Sequence, residues 1–243
     1  MSSGRSGRRP SRGSWVVAAL VAAIAMGWPS ASHATPAAGP RLVPAAGYVA
    51  WSQVAARARP DAHAPVVRVV TQFDDEYRPT VVLAIGVRLG TDGRPAWYRI
   101  SLPGRPNGLT AWVRAPSLEL RPVRRAIEID RSDRVLTLRQ DGRVLLRTRV
   151  AVGATGMETP VGLFYVVRKF RPTAPVLGAF AMETSAYSKL SEWPGGGVVG
   201  IHGTNQPSLL GGAVSHGCVR VENAAIVRLA RLTPVGTPIR IVP

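Results

Sequence analysis

Short apolar runs separated by turn residues extend over most of the chain beyond residue 48, and this pattern constrains the fold more than any other feature. In the N-terminal half, Asp92-Gly93 and Pro106-Asn107-Gly108 fall between runs and favour hairpin turns, because Gly and Asn tolerate positive φ. This spacing predicts a small all-β module, a barrel or a sandwich, over residues 48–120. Its strands are predicted at residues 66–70, 81–85, 97–100 and 111–113.

The C-terminal half shows the same pattern more densely. Asp141-Gly142 reads as a two-residue hairpin turn between two of its apolar runs. The fold class predicted from the residues is therefore mainly β, with one or two short helices. The strands expected here are residues 126–130, 135–139, 144–150 and 163–167.

One helix is predicted near the C-terminus of the chain. Asn223 is expected to cap its first turn, and Pro234 with Gly236 to end it. The residues at helical spacing on its apolar face are Ile226, Leu229, Ala230 and Thr233.

Three segments lack a strand pattern. Residues 35–47 are rich in Ala, Pro and Gly, which predicts a flexible linker, and residues 121–125 form a short basic linker. Residues 171–197 have little periodicity and are predicted to form a loop or lid near a functional site. Tyr187 and Trp193 within it either line a groove or pack the loop itself.

Residues 1–34 have the three parts of a secretory signal peptide. Four arginines without an acid precede an apolar run over residues 15–28, and Ala31-Ser32-His33-Ala34 supplies a cleavage site after Ala34. An uncleaved anchor is the alternative, although the run is shorter than the roughly 20 apolar residues that a span needs. The chain is therefore expected to be exported to the cell envelope, as a periplasmic, wall or extracellular protein, without a stable membrane span after cleavage.

The chain is strongly basic, with a formal net charge of +17, and stays so without the arginines of its first 34 residues. Such a charge implies polyanionic surroundings. The basic residues do not form a block with interleaved aromatic residues, so a nucleic-acid partner is not predicted. Anionic cell-wall polymers or lipid head groups suit an exported protein better, and a solvated basic face is the simplest alternative.

Cys218 is the single cysteine of the chain, so it cannot form an internal disulfide. A free thiol outside the cell is a liability unless it reacts, and a thiol with an ordinary pKa of about 8.5 needs a base or a positive charge to ionise. His202, expected at the end of a strand, and His216 can supply both through folding. Gly217 permits a tight turn whose N–H groups can hold an oxyanion. The segment therefore predicts a nucleophile site.

Two alternatives for this segment stay open, and two fail. Cys218 could be a buried structural residue, or could join His202 and His216 in a zinc site, although no Cys pair and no clear fourth ligand accompany them. A nucleophilic Ser215 would need an acid and then a histidine downstream, and that order is missing. A papain-like site would place the histidine after the cysteine, whereas both histidines precede it.

Two motifs of this segment resemble the signature of the bacterial L,D-transpeptidase catalytic domain. They are His202-Gly203-Thr204-Asn205 and Ser215-His216-Gly217-Cys218-Val219-Arg220. The resemblance runs from about residue 126 to the C-terminus and includes Thr159-Pro160-Val161-Gly162. It implies a β-sandwich-like catalytic domain over residues 126–243. More weakly, the segment from Trp97 to Val113 resembles a bacterial SH3-like module, a type that often binds wall peptides.

The family resemblance also implies roles for individual residues. Cys218 would be the nucleophile and His202 the general base and acid, with no metal and no cofactor. Arg220 would grip a substrate carboxylate, or else pair with Glu222, and His216 would polarise the thiol or make a structural hydrogen bond. The residues expected to support the thiol or the oxyanion are Ser215, His216 and Gly217, and those expected to bind substrate are Arg220, Gly203, Thr204, Asn205 and Tyr187.

The implied substrate is the tetrapeptide stem of peptidoglycan. The enzyme would release the terminal D-Ala and join the third residues of neighbouring stems, and carbapenems would acylate its thiol. A carboxypeptidase that hands the same acyl-enzyme to water is the alternative among enzymes. A non-catalytic wall-binding protein is the alternative from another class.

Overall fold

The computed structural model describes residues 42–192 and 196–243, which form one compact unit. The proposed signal peptide and most of the proposed 35–47 linker lie outside the described residues. The first sheet has the strand order β3-β2-β6-β5-β4-β1-β7. Its strands are β1 (Ala45–Val49), β2 (Gln53–Arg57), β3 (Val66–Thr71), β4 (Val81–Leu89), β5 (Pro95–Ser101), β6 (Thr110–Arg114) and β7 (Leu118–Pro122).

The two turns predicted in this half are confirmed. The turn between β4 and β5 contains Gly93 at φ 74°, and the turn between β5 and β6 contains Gly108 at φ 82°. Both angles lie in the left-handed region that glycine enters without a steric penalty. The strands that these turns connect bury small and branched residues, among them Val82, Ala84, Ile100, Ala111 and Val113.

The linker prediction is wrong at its C-terminal end. Ala45, Ala46 and Gly47 belong to β1, which lies between β4 and β7 in the sheet. A Cβ atom on Gly47 would lie 1.7 Å from the carbonyl oxygen of Glu119, so this strand can approach β7 only with a glycine there. A run of small residues is typical of a flexible spacer, whereas here these residues permit close packing between strands.

The second sheet contains the remaining nine strands, in the order β14-β10-β15-β13-β12-β11-β16-β8-β9. An additional pairing of β10 with β9 closes eight of these strands into a ring. The mainly β fold class is therefore confirmed. The strands are β8 (Arg125–Asp130), β9 (Val135–Gln140), β10 (Arg143–Gly153), β11 (Gly162–Phe170), β12 (Ala181–Tyr187), β13 (Val198–His202), β14 (Ala213–Ser215), β15 (Val219–Val221) and β16 (Pro238–Val242).

The β9–β10 hairpin has the predicted two-residue turn, with Asp141 at φ 49° and Gly142 at φ 83°. Strand β10 then continues past β9 and pairs with both β15 and β14. Because β15 and β14 flank Cys218, this one long strand supports both sides of the predicted nucleophile.

The prediction of a loop or lid over residues 171–197 is wrong in part, because β12 lies inside that range. This strand pairs with β11 on one side and β13 on the other. Five of its seven residues are buried, on both faces, so its sequence Ala-Met-Glu-Thr-Ser-Ala-Tyr lacks the alternation that marks a half-exposed strand. Sequence periodicity was therefore absent for a structural reason.

The single described helix, α1 (Asn223–Leu232), buries Ile226, Leu229 and Ala230 as predicted. The prediction of Asn223 as its cap is wrong. Glu222 occupies the N-cap position and makes no side-chain capping bond. Lys169 of β11 holds the other end, where its Nζ donates to the carbonyls of Ala230 and Thr233 at 2.9 Å each.

The two sheets share a small apolar contact region. Tyr165 of β11 is fully buried, packs with Ala46, Val81 and Leu83, and donates from its hydroxyl to the carbonyl of Val81 at 3.1 Å. Only residues 123 and 124 separate β7 from β8, so the predicted 121–125 linker is mostly strand. Burial raises the pKa of Tyr165, which keeps its hydroxyl protonated as a donor.

Within the described residues, no helix has the length and the apolar character needed to cross a bilayer.

Candidate active site

Two short neighbouring strands bring the predicted catalytic residues together. Strand β13 ends at His202, and β15 begins immediately after Cys218. The two strands pair in parallel, with His202 opposite Arg220. Because paired residues of adjacent strands point to the same face of a sheet, the imidazole and the guanidinium lie on one face.

Cys218 lies on that face beside Gly200. The N–H of Gly200 donates to the Cys218 Sγ at 3.4 Å. A Cβ atom on Gly200 would lie 3.8 Å from Cδ2 of His202 and 3.9 Å from the Sγ. The thiol and the imidazole therefore border the same small space, which a glycine leaves open.

His202 is oriented by a backbone carbonyl. The residue is 4% exposed, and its Nδ1 lies 2.6 Å from the carbonyl oxygen of Gly203. A carbonyl can only accept, so Nδ1 carries the proton in the neutral ring and Nε2 keeps its lone pair. Burial lowers the pKa of His202; the Gly203 hydrogen bond raises it, and the charge of Arg220 lowers it further. The ring is therefore a neutral base at physiological pH.

Cys218 experiences opposing influences. Burial raises the pKa of its thiol, while the Gly200 N–H and the positive charge of Arg220 lower it, and burial is the largest of the three. The resting pair is therefore a neutral thiol beside a neutral imidazole. Ionisation of the thiol therefore requires that its proton pass to a nearby base.

Arg220 supplies the positive charge of this face. It lies on β15, which pairs with β13 and β10, and its Nε is buried without a hydrogen-bond partner among the described residues. The suggested ion pair with Glu222 does not form within 4 Å in the described part of the chain. Because none of the ion pairs in the described part of the chain includes Arg220, its positive charge acts on the thiol and the imidazole.

Ser215 and Gly217 hold the turn that precedes Cys218. The Ser215 hydroxyl donates to the carbonyl of Cys218 at 2.5 Å and accepts from the N–H of Gly217 at 3.2 Å. Gly217 has φ 117°, as its predicted tight turn requires. The Gly217 N–H, which is predicted to hold an oxyanion, donates to Ser215 in this structure.

Thr159 lies at the site, although the Cys–His motifs of the sequence do not include it. Its buried hydroxyl accepts from the N–H of Gly153 and donates to the carbonyl of Gly217, both at 2.9 Å. It therefore ties the turn before Cys218 to the end of β10. The only available signal was its place in the Thr-Pro-Val-Gly stretch of the family resemblance.

Gly203 and Thr204, which are predicted to bind substrate, are buried in the segment that directly follows His202. Thr204 is 2% exposed. Asn223 holds its backbone, accepting from the N–H at 3.1 Å and donating to the carbonyl at 3.0 Å. Asn223 thus joins α1 to the segment after β13, which explains why it does not cap the helix. Asn205 is exposed beside them.

The two remaining predicted residues occupy different surroundings. His216 is exposed in the turn before Cys218. Tyr187 ends β12, with the Arg105 guanidinium 4.9 Å from its ring centroid. Trp193 lies outside the described residues.

The side chains of the zinc alternative do not assemble into a metal site. In residues 42–192 and 196–243, no group of three His, Cys, Asp or Glu side chains is close enough to hold an ion. His202 and Cys218 are neighbours, but they are not joined by His216 as a third ligand.

A cavity of about 660 Å³ lies next to the turn that precedes Cys218, between the first sheet and the second. Its lining includes Asn107, Thr159, Tyr187 and Ser188. Because Thr159 and Ser188 both touch Gly217, this cavity borders the turn before Cys218 from the side of the first sheet.

Comparisons with known proteins identify related domains. The family model described as the L,D-transpeptidase catalytic domain, YkuD, matches residues 124–241. The candidate L,D-transpeptidase YkuD of Bacillus subtilis (strain 168) is 32% identical over 149 residues, which are 61% of this chain and 77% of that protein. Its counterpart from Bacillus licheniformis is 36% identical over 118 residues, 48% of this chain and 65% of that protein. The catalytic domain of an E. faecium L,D-transpeptidase, solved by NMR, aligns at 25% identity with a TM-score of 0.39, covering 49% of this chain and 96% of that one.

Proposed function

Because the chain belongs to the L,D-transpeptidase family, we propose that it cross-links peptidoglycan through a thioester on Cys218. The donor is a tetrapeptide stem, and the acceptor is the side-chain amine on the third residue of a neighbouring stem. The single observation that carries this proposal is the common face of Cys218, His202 and Arg220 around Gly200.

The first half-reaction forms the thioester. The Cys218 Sγ attacks the carbonyl carbon of the third stem residue while its proton passes to Nε2 of His202. The bond between that carbon and the nitrogen of D-Ala then breaks, and His202 returns the proton to the leaving amine. The Gly203 carbonyl supports this role, since it holds the Nδ1 proton and stabilises the imidazolium that forms.

The second half-reaction transfers the acyl group. The acceptor amine attacks the thioester carbon and loses a proton to His202. The bond between that carbon and the Cys218 Sγ breaks, and His202 passes the proton to the leaving thiolate. Neither half-reaction as written uses a metal or an organic cofactor. In both halves we assign the oxyanion to the N–H of Cys218, since the N–H of Gly217 is bonded to Ser215.

Arg220 acts electrostatically on both the thiol and the imidazole. Its charge stabilises the thiolate as it forms and disfavours early protonation of His202. We also propose that its outer nitrogens bind a stem carboxylate, for which a guanidinium has the matching two-donor geometry.

The setting of this reaction is the cell envelope. Export by the leader of residues 1–34 would bring the enzyme to peptidoglycan, and the basic surface would favour anionic wall polymers. We therefore propose that the protein acts in the cell envelope, as a periplasmic, wall or extracellular enzyme.

Reaction with purified tetrapeptide stems tests the proposal. Mass spectrometry should show stem dimers and free D-Ala with the wild-type protein and neither with C218A. Tripeptide and D-Ala without dimers would instead establish the carboxypeptidase. No product, together with full biological effect of C218A in cells, would establish the wall-binding protein.

A carbapenem provides an independent probe of the nucleophile. Incubation should add the mass of one carbapenem to the wild-type protein and none to C218A. An unmodified wild-type mass after long incubation would contradict the assignment of Cys218.

A further inference from the structure

The turn between β5 and β6 of the first sheet reaches across to the second sheet. The Asn107 side chain accepts from the Tyr187 N–H at 3.0 Å and donates to the Tyr187 carbonyl at 2.7 Å. A single amide side chain thereby pairs with both backbone groups at the end of β12, as a neighbouring strand would.

Arg105 of the same turn contacts both ends of the segment between β12 and β13. Its Nη2 donates to the carbonyl of Ser188 at 2.9 Å, and its Nη1 donates to the carbonyl of Gly196 at 2.9 Å. The Ser188 N–H also donates to the carbonyl of Gly197 at 2.8 Å, so the two ends lie side by side under the guanidinium. Hydrogen bonds from a charged donor are about twice as strong as neutral ones.

These two ends lead to the two catalytic residues. Gly197 is followed by β13, which carries His202 at its end. Ser188 packs on Gly217, since a Cβ atom on Gly217 would lie only 2.9 Å from the Ser188 Cβ. Gly217 is joined directly to Cys218. The first sheet therefore touches the supports of both the base and the nucleophile through Arg105 and Asn107.

We propose that Arg105 and Asn107 are positioning residues for the transfer reaction. They hold Tyr187, Ser188 and Gly196, so that Ser188 stays against Gly217 and Cys218 stays aligned with His202. A surface segment without such bonds opens readily, and a displacement of about 1 Å in a reacting group can cost up to about 100-fold in rate. The first sheet thus helps to position the active-site residues through Arg105 and Asn107.

The activity readout rests on the function proposed above, so the test includes two readouts that do not. The variant is R105A/N107A in the full chain. R88A is the matched control, because Arg88 is an exposed arginine of β4 in the same sheet and its loss removes the same charge. The measurements are kcat and KM with tetrapeptide stems, the iodoacetamide alkylation rate of Cys218 against pH, and hydrogen exchange of residues 187–192.

The double variant should lower kcat about 10-fold with KM changed by no more than about twofold, as loss of alignment without loss of substrate binding predicts. Exchange at residues 187–192 should become faster, and the pH profile of alkylation should shift. R105K should keep more of the wild-type rate than the double variant, since the lysine ammonium can still donate to one carbonyl. R88A should match the wild type in all three measurements.

Three results would overturn the proposal. They are a double variant that matches R88A, a rise in KM with unchanged kcat, and unchanged exchange at residues 187–192. If the wild type makes no product from stems, the proposed function fails, whereas alkylation and exchange still decide the positioning role. If the double variant does not fold, N107D carries the test, because it keeps the acceptor for the Tyr187 N–H and loses the donor to the Tyr187 carbonyl.

Discussion

At the scale of single residues, the site is governed by a competition between burial and one positive charge. Burial favours the neutral thiol of Cys218 and the neutral ring of His202. Arg220 lowers both pKa values, so it favours the ionised thiol but not the ionised ring. This combination keeps the ring of His202 available as a base, while the thiol of Cys218 stays protonated at rest and is therefore less open to unwanted reactions.

The substitution R220M should shift the pH dependence of the reaction upward. Without the charge, the pKa of Cys218 rises and the pKa of His202 rises as well. The acid limb of kcat/KM needs neutral His202 and should move to higher pH, and the midpoint of Cys218 alkylation should move in the same direction. R240M is the control, since Arg240 is exposed on β16. Midpoints equal to those of R240M would show that Arg220 does not act on this pair.

The pKa shifts of His202 and Cys218 also determine how each residue changes protein stability with pH. The pKa of His202 is lower in the folded protein than in the unfolded chain, so the unfolded state takes up a proton first as pH falls below about 6.5. This residue therefore contributes a loss of stability on the acid side. Cys218 acts oppositely, because its raised pKa makes the unfolded thiol ionise first as pH rises.

At the scale of elements, the turn before Cys218 depends on the end of β10, which is distant from it in sequence. Thr159 bonds Gly153 of β10 and Gly217 of the turn with one hydroxyl. All three residues are buried, so neither backbone group has water as an alternative partner.

The substitution T159V should therefore weaken both the fold and the reaction. It leaves a buried N–H and a buried carbonyl without their partner, which costs about 1–3 kcal/mol of unfolding free energy. Turnover should fall as well, because Gly217 loses a tether next to Cys218. T159S keeps the hydroxyl and should stay near the wild type in denaturant titration and in kcat. Equal behaviour of the two variants would mean that the hydroxyl contributes nothing.

Strands with a partly exposed face and a recognisable turn were predictable from the sequence, as the hairpin around Asp141-Gly142 shows. Strands β1 and β12 were not, since neither alternates between polar and apolar residues. Strand β1 uses small residues to pass close to β7, and β12 is buried on both faces. The role of Asn223 was also misjudged, because its partners at Ala179 and Thr204 come from another part of the chain.

At the scale of the whole molecule, the two sheets are joined by an apolar contact and by polar bonds near the active site. Tyr165 forms the centre of the apolar contact, with its hydroxyl bonded to the Val81 carbonyl of the first sheet. Arg105 and Asn107 form the polar contact on the side of Tyr187.

The substitution Y165F tests the hydrogen bond between the two sheets, because it removes the hydroxyl and keeps the apolar ring. It leaves the Val81 carbonyl without this donor and should cost about 1 kcal/mol of unfolding free energy. The measurement is the denaturant midpoint, with Y48F as control because Tyr48 is 45% exposed. Stem turnover should be unchanged, since Tyr165 touches neither the thiol nor the imidazole. A midpoint equal to that of Y48F would contradict the role of this hydrogen bond.

The sequence by itself determined the mainly β class, the family and the identity of the sulfur and imidazole that we propose as catalytic, because short apolar runs and a spaced His–Cys motif are local patterns. Only the tertiary structure decided which groups act on them. The alignment of Gly200 with Cys218, the charge of Arg220 beside both residues, the Thr159 tether and the reach of Arg105 to Ser188 all come from strand register and from contacts between distant segments. Such contacts produce no periodic pattern in the amino-acid sequence.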